Sequence, residues 1–127
     1  MPETPDERYA RGRARFLEVH DERALRSVEG LGELGRHIVE FIYGEVYTDP
    51  SLSTRDRELA AVAALVAMGR SSQLPAHLRA ALKAGLTEDE LRAVIVQTGS
   101  IAGFPPAMNA ISTLRTIVGE RDAETGS

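Results

Sequence analysis

Glu58 and His77, nineteen positions apart, are the residues of this 127-residue chain whose types and settings could do chemistry. His77 lies in an otherwise apolar helical run, Leu74-Pro75-Ala76-His77-Leu78-Arg79-Ala80-Ala81-Leu82. Glu58 leads into Leu59–Met68, which is apolar on nearly every side, and it shares a helix face with Val62 and Leu65. Burying a carboxylate there costs on the order of several kcal/mol unless it is paired, so a partner is expected, either His77 or an arginine. An imidazole and a carboxylate meeting in an apolar, Ala-lined pocket could move a proton without a metal or cofactor. The carboxylate would fix the imidazole tautomer, and the walls would exclude water. Each residue also has a plainer account. His77 could be a hydrogen-bonded core histidine, and Glu58 a first-turn acid that suits the helix dipole.

Positioning the two requires a helix over Thr54–Met68, a polar corner at Arg70-Ser71-Ser72-Gln73, and a second helix from near Ser72 to Gly85. Ser53 can cap the first of these, and Pro75 suits the first turn of the second. Gln73 falls one turn before His77 on the same face, and Arg70 stands at the corner. Thr87-Glu88-Asp89-Glu90 is a capping box for a third helix, in which Leu91, Val94, Ile95, Thr98 and Ile101 recur at helical spacing. A last helix follows Pro105-Pro106, with Met108, Ile111, Leu114 and Ile117 as its stripe and a frayed tail over 120–127.

Upstream, the spacing predicts a helix over Pro5–Val19 and another over Leu34–Tyr47. Arg8, Arg11, Arg13 and Arg15 of the first read as a solvated surface, with contact to an acidic ligand or a neighbouring subunit as the sharper alternative. Gly30-Leu31-Gly32-Glu33-Leu34-Gly35 spells a dinucleotide fingerprint, but no strand-like run precedes it, so it reads as a flexible lead-in to a helix. No segment alternates with strand period. The expected fold is all-α, a single domain of about six helices with its core over 34–118.

The composition is 43% hydrophobic but 5% aromatic, with no tryptophan, so each buried side chain contributes modestly and association with further copies is expected. A net charge of −4 and the lack of a long basic run argue against nucleic acid. The absence of cysteine excludes disulfides, thiol redox chemistry and thiolate metal sites. The histidines His20, His37 and His77 form no H-E-x-x-H and no i, i+4 pair, so no helical metal site is expected. The ten-residue apolar run is far short of the roughly 20 residues a membrane span needs, and the polar, acidic first residues point to the cytoplasm.

Five separate pieces of the chain, in order, resemble the carboxymuconolactone decarboxylase family. They are Ser51–Leu59, Gly69-Arg70, His77–Leu82, Gly85–Glu90 and Ala102–Ala107, within a span of about Leu34 to Val118. The resemblance implies an alkyl hydroperoxidase D-like helical subunit assembling as a trimer or hexamer, with pockets at subunit contacts. In the peroxidase branch a glutamate, a C-x-x-C pair and a histidine act together. Glu58 and His77 match the outer two, but Arg70 and Gln73 stand where the cysteines would be, so a thiol peroxidase is excluded.

The decarboxylase branch works without a cofactor on a small cyclic lactone. By that resemblance His77, supported by Glu58, would reprotonate the carbanion left by carbon dioxide loss. Arg70 or Arg79 would hold a substrate carboxylate, and Gln73 and Glu45 would line the pocket. Family decarboxylases tend to carry an acid at the position of Gln73 and a tyrosine at that of Ile101, so a less polar substrate is in view. Two other readings stand beside the decarboxylase. One is a relative doing isomerisation or cyclisation in secondary metabolism, and the other is a non-catalytic oligomeric scaffold.

Overall fold

Thr4 opens the first helix by accepting the Glu7 N–H while the Glu7 carboxylate accepts the Thr4 N–H, and Pro5 takes the first turn. The computed structural model describes residues 1–126. Among them it contains seven α-helices and no strand, so the all-α expectation holds. The chain divides into two compact units, Met1–Thr54 and Arg55 onward.

In the first unit, α1 (Pro5–Val19) ends as expected, and α2 (Glu22–Glu29) follows at once. The sequence reading passed over α2 because its eight residues bury only Leu25. Asp21, whose side chain accepts the Ala24 N–H at 2.8 Å, is the cap that marks its start. The G-x-G-x-x-G segment therefore follows a helix, and the dinucleotide reading fails on context.

The single helix expected over Leu34–Tyr47 is three pieces: α3 (Glu33–His37), a π-helix over Ile38–Tyr43 and a 3-10 turn over Val46–Thr48. The apolar residues divide with it. Leu34, Phe41 and Val46 are exposed, while Val39, Glu40 and Tyr43 turn inward. The wider π turn uses an extra residue and moves the buried face along the sequence. The carboxylate of Glu40 is then answered by Arg36 at 2.7 Å and Arg8 at 3.8 Å.

The arginines of α1 do more than the solvated reading allows. Arg11 Nε donates to the Gly44 carbonyl at 3.0 Å, and Arg15 Nε to the Tyr47 carbonyl at 3.0 Å. Helix α1 can lie this close because Gly12 has no side chain. A Cβ there would stand 2.2 Å from the Val39 carbonyl oxygen.

In the second unit, α4 (Thr54–Met68), α5 (Leu74–Lys83), α6 (Glu88–Ala102) and α7 (Phe104–Thr125) share one core. Val62, Leu78, Leu91, Ile95 and Leu114 are fully enclosed there, each contributing about 1.5–3 kcal/mol of burial. Helix α4 is less central than its composition implies, since Ala60, Ala64, Ala67 and Met68 remain exposed. Ile101 and Met108 also face outward, and α7 instead buries Ala107, Ala110, Leu114, Ile117 and Val118. The tail expected to fray is helical as far as Thr125.

Helices α6 and α7 meet at Gly103, whose φ of 104° is a backbone setting that side chains disfavour. Helix α6 starts on the expected capping box, with Thr87 N–H to Glu90 Oε1 at 3.1 Å and Glu90 N–H to Thr87 Oγ1 at 3.0 Å. The Thr87 N–H, and after it Arg55, hold the Glu90 carboxyl below its ordinary range.

Gly12→Ala is expected to destabilise the protein by about 1–3 kcal/mol, because crowding a backbone carbonyl outweighs the roughly 1 kcal/mol of helix propensity gained. Denaturant unfolding monitored by circular dichroism measures it. Glu90 has a lowered folded value, so its stabilising contribution is present above the unfolded carboxyl range and is lost as pH falls through the folded midpoint. A carboxyl-carbon NMR titration should place that midpoint below the usual glutamate value, and Arg55→Ala should move it up.

Candidate functional site

Helices α4 and α5 carry the two residues singled out for chemistry to a single point. His77 Nδ1 lies 3.0 Å from Glu58 Oε1. The glutamate is fully buried, and the histidine side chain keeps 21% of its exposure. Glu58 comes early in α4, one turn before Val62, and that face is drawn inward by the core. His77 sits one turn after the buried Leu74 and directly before the buried Leu78, so the α5 stripe that enters the core brings the imidazole with it.

The pairing fixes the chemistry of the ring. A carboxylate only accepts, so Nδ1 carries the proton that faces Glu58. An imidazole held in this way can exchange a proton through its other nitrogen, Nε2. The buried acid thus sets the tautomer, while the partly exposed imidazole stays within reach of a small ligand.

The other expected site residues each have a setting of their own. Arg70 lies at the corner after α4, where Gly69 takes a φ of 67° and the Arg70 N–H donates to the Leu65 carbonyl at 2.9 Å. Arg70 lines a cleft of about 60 Å³ together with Ser71, Leu74 and α7 residues that include Asn109 and Thr113. Gln73 is exposed at the N-cap of α5 and lies outside that cleft. Arg79, two residues past His77, is turned about 200° round the helix from it and approaches Glu120 of α7 at 3.9 Å. Glu45 belongs to the first unit, where it is exposed at the head of the 3-10 turn.

Sequence reasoning missed Asn109 and Thr113. Their spacing of four on one helix face was the available signal, obscured because the reading of that helix followed its larger apolar residues. It also gave no role to His20. In the first unit that histidine is buried, with Nε2 2.7 Å from the Tyr43 hydroxyl and its ring 4.8 Å from that of Phe16.

Parts of this sequence are similar to known proteins. A family model described as the carboxymuconolactone decarboxylase family matches residues 32–116. A protein of Acinetobacter baylyi (strain ATCC 33305 / BD413 / ADP1), named 4-carboxymuconolactone decarboxylase, is 37% identical over 110 residues. That alignment covers 83% of this chain and 81% of the relative. Nitrosuccinic acid decarboxylase of Metarhizium robertsii (strain ARSEF 23 / ATCC MYA-3075) is 29% identical over 98 residues, or 76% of this chain and 68% of the relative. The match spans every helix from α4 to α6, including the glutamate–histidine pair, and on that extent the chain belongs to the carboxymuconolactone decarboxylase family.

Proposed function

We propose that this protein is a decarboxylase of the 4-carboxymuconolactone type, in which His77 delivers the proton that replaces carbon dioxide. The observation that carries the reading is the 3.0 Å contact between His77 Nδ1 and the fully buried Glu58. The relative at 37% identity is named for that lactone, and the other for nitrosuccinic acid. Both compounds are acids in which an electron-withdrawing group, lactone carbonyl or nitro, can take up the electron pair released with carbon dioxide.

In the proposed reaction the carbon–carboxylate bond breaks and carbon dioxide departs. The electron pair spreads onto the lactone carbonyl as an enolate. The imidazolium of His77, its charge balanced by Glu58, then gives its Nε2 proton to carbon, and solvent restores the proton. Glu58 holds the ring so that Nε2, not Nδ1, meets the substrate. The residue pair itself moves the proton.

A second reading keeps the chemistry and changes the substrate. Gln73 and Ile101 replace the acid and the tyrosine that family decarboxylases tend to carry, which favours a less polar or open-chain acid from another pathway. We further infer that subunits associate, as a trimer or hexamer. Ile101 at 82%, Phe104 at 67% and Met108 at 69% exposure leave an apolar group at the α6–α7 junction that association would cover.

Purified protein should release carbon dioxide from 4-carboxymuconolactone, with nitrosuccinate assayed in parallel to separate the two substrates. His77→Ala should lower kcat by about 10²- to 10⁴-fold, as expected for loss of a general acid. Glu58→Gln should lower it by less, since the ring remains but its orientation is no longer enforced. Turnover by His77→Ala at the wild-type rate would remove the proposal. Sedimentation should give three or six times the subunit mass.

A further inference from the structure

A proton that His77 can give to carbon is a proton it can also take back. In the enolate route the electron pair reaches the carbon beside the lactone carbonyl through the ring double bond. Protonation there turns its CH into a CH2 group. Once that proton is delivered the ring is neutral again, with its Nδ1–H still facing the Glu58 carboxylate at 3.0 Å. This is the resting form of the pair. A neutral imidazole held at one nitrogen is a general base at the other. Glu58, fully buried, balances the charge that the ring acquires when it takes up a proton. The arrangement thus serves proton removal from carbon as well as proton delivery to it.

Two features of the pair decide what such a reversal does. His77 keeps 21% of its side-chain exposure, so a proton taken up by the ring can be traded with water. A wholly enclosed imidazole would return the same proton to the same carbon, and no change would result. The other feature is fixed orientation. Glu58 holds Nδ1, while Leu74, one turn before His77, and Leu78, directly after it, are both buried in the core. A ring fixed in this way meets a bound molecule from one side. It therefore reaches one of the two hydrogens of a CH2 group.

We propose that this protein also exchanges hydrogen between water and enolisable lactones that have no ring carboxylate left to lose. The inference rests on the decarboxylase reading, because it runs the last step of that reaction backwards. His77 Nε2 takes a proton from the carbon beside the carbonyl, and the C–H electron pair moves onto the carbonyl oxygen as an enolate. The imidazolium trades that proton for one from solvent and returns it to the same face of the same carbon. Only a C–H bond breaks and re-forms, nothing is oxidised or reduced, and carbon dioxide takes no part. The double bond stays where it was, which separates this activity from isomerisation.

Deuterium uptake by the decarboxylated lactone, synthesised separately and supplied in heavy water, tests it by proton NMR. The wild-type protein should introduce one deuterium at the carbon beside the carbonyl and stop at one. Without protein, uptake should be slower and should proceed to two. His77→Ala should lower the exchange rate by about 10²- to 10⁴-fold, and Glu58→Gln by less, with the count still at one. The count is read on the wild-type protein, so it decides even where a variant fails to fold. Carbon dioxide release from 4-carboxymuconolactone is measured on the same preparation. Exchange to one deuterium without that release would remove the decarboxylase reading and leave the proton-transfer activity standing. Three results would overturn the inference, whether or not carbon dioxide is released. They are exchange no faster than the protein-free control, accelerated uptake of two deuteria, and undiminished exchange in folded His77→Ala.

Discussion

A carboxylate sealed from water has to have its charge answered where it lies, and Glu58 is sealed. The imidazole of His77 gives that answer within the second unit at 3.0 Å. Much else there follows from keeping the two in register. The α4 face bearing Glu58 must turn into the core, and α5 must start where its stripe carries His77 to the same depth. The corner between them is held by Gly69 and by the Arg70 N–H on the Leu65 carbonyl. Removing the histidine would leave an enclosed charge with less compensation, so the pair couples the stability of this unit to its chemistry.

Division of labour among the arginines runs through both units. Arg11 and Arg15 hold backbone carbonyls, Arg36 answers Glu40, and Arg55 supports Glu90 at the start of α6. These residues are spent on structure. Arg70 instead lines a cleft beside Ser71, Asn109 and Thr113, and that contrast is visible only once partners can be assigned in space.

The helices of the second unit were legible because their signals are local. The Thr87–Glu90 box, Pro75 in a first turn and the long apolar run of α4 mark their elements without reference to the rest of the chain. The approach of Glu58 to His77 was also legible, because a lone acid in an apolar run demands a partner. What escaped depended on the fold. Helix α2 is short and buries one leucine, while the π-helix is chosen by how α1 lies on Val39 at Gly12. The outward faces of Ile101 on α6 and Met108 on α7, and the place of Asn109 and Thr113 at the cleft, are decided by which side of each helix meets its neighbours. Apolar spacing alone assigned that side wrongly for Met108.

The π turn over Ile38–Tyr43 carries a consequence for how this region can vary. A bulge of this kind accommodates one residue more than an α-helical path between the same end points. Were it straightened, each side chain after it would be rotated by about 100°, and Tyr43 would lose its place beside Phe16. Inward-facing identity in this stretch is thus governed by residue count as much as by residue type. A one-residue deletion here would be absorbed by straightening the bulge, whereas the same deletion in the regular turns of α1 would put every later side chain out of phase.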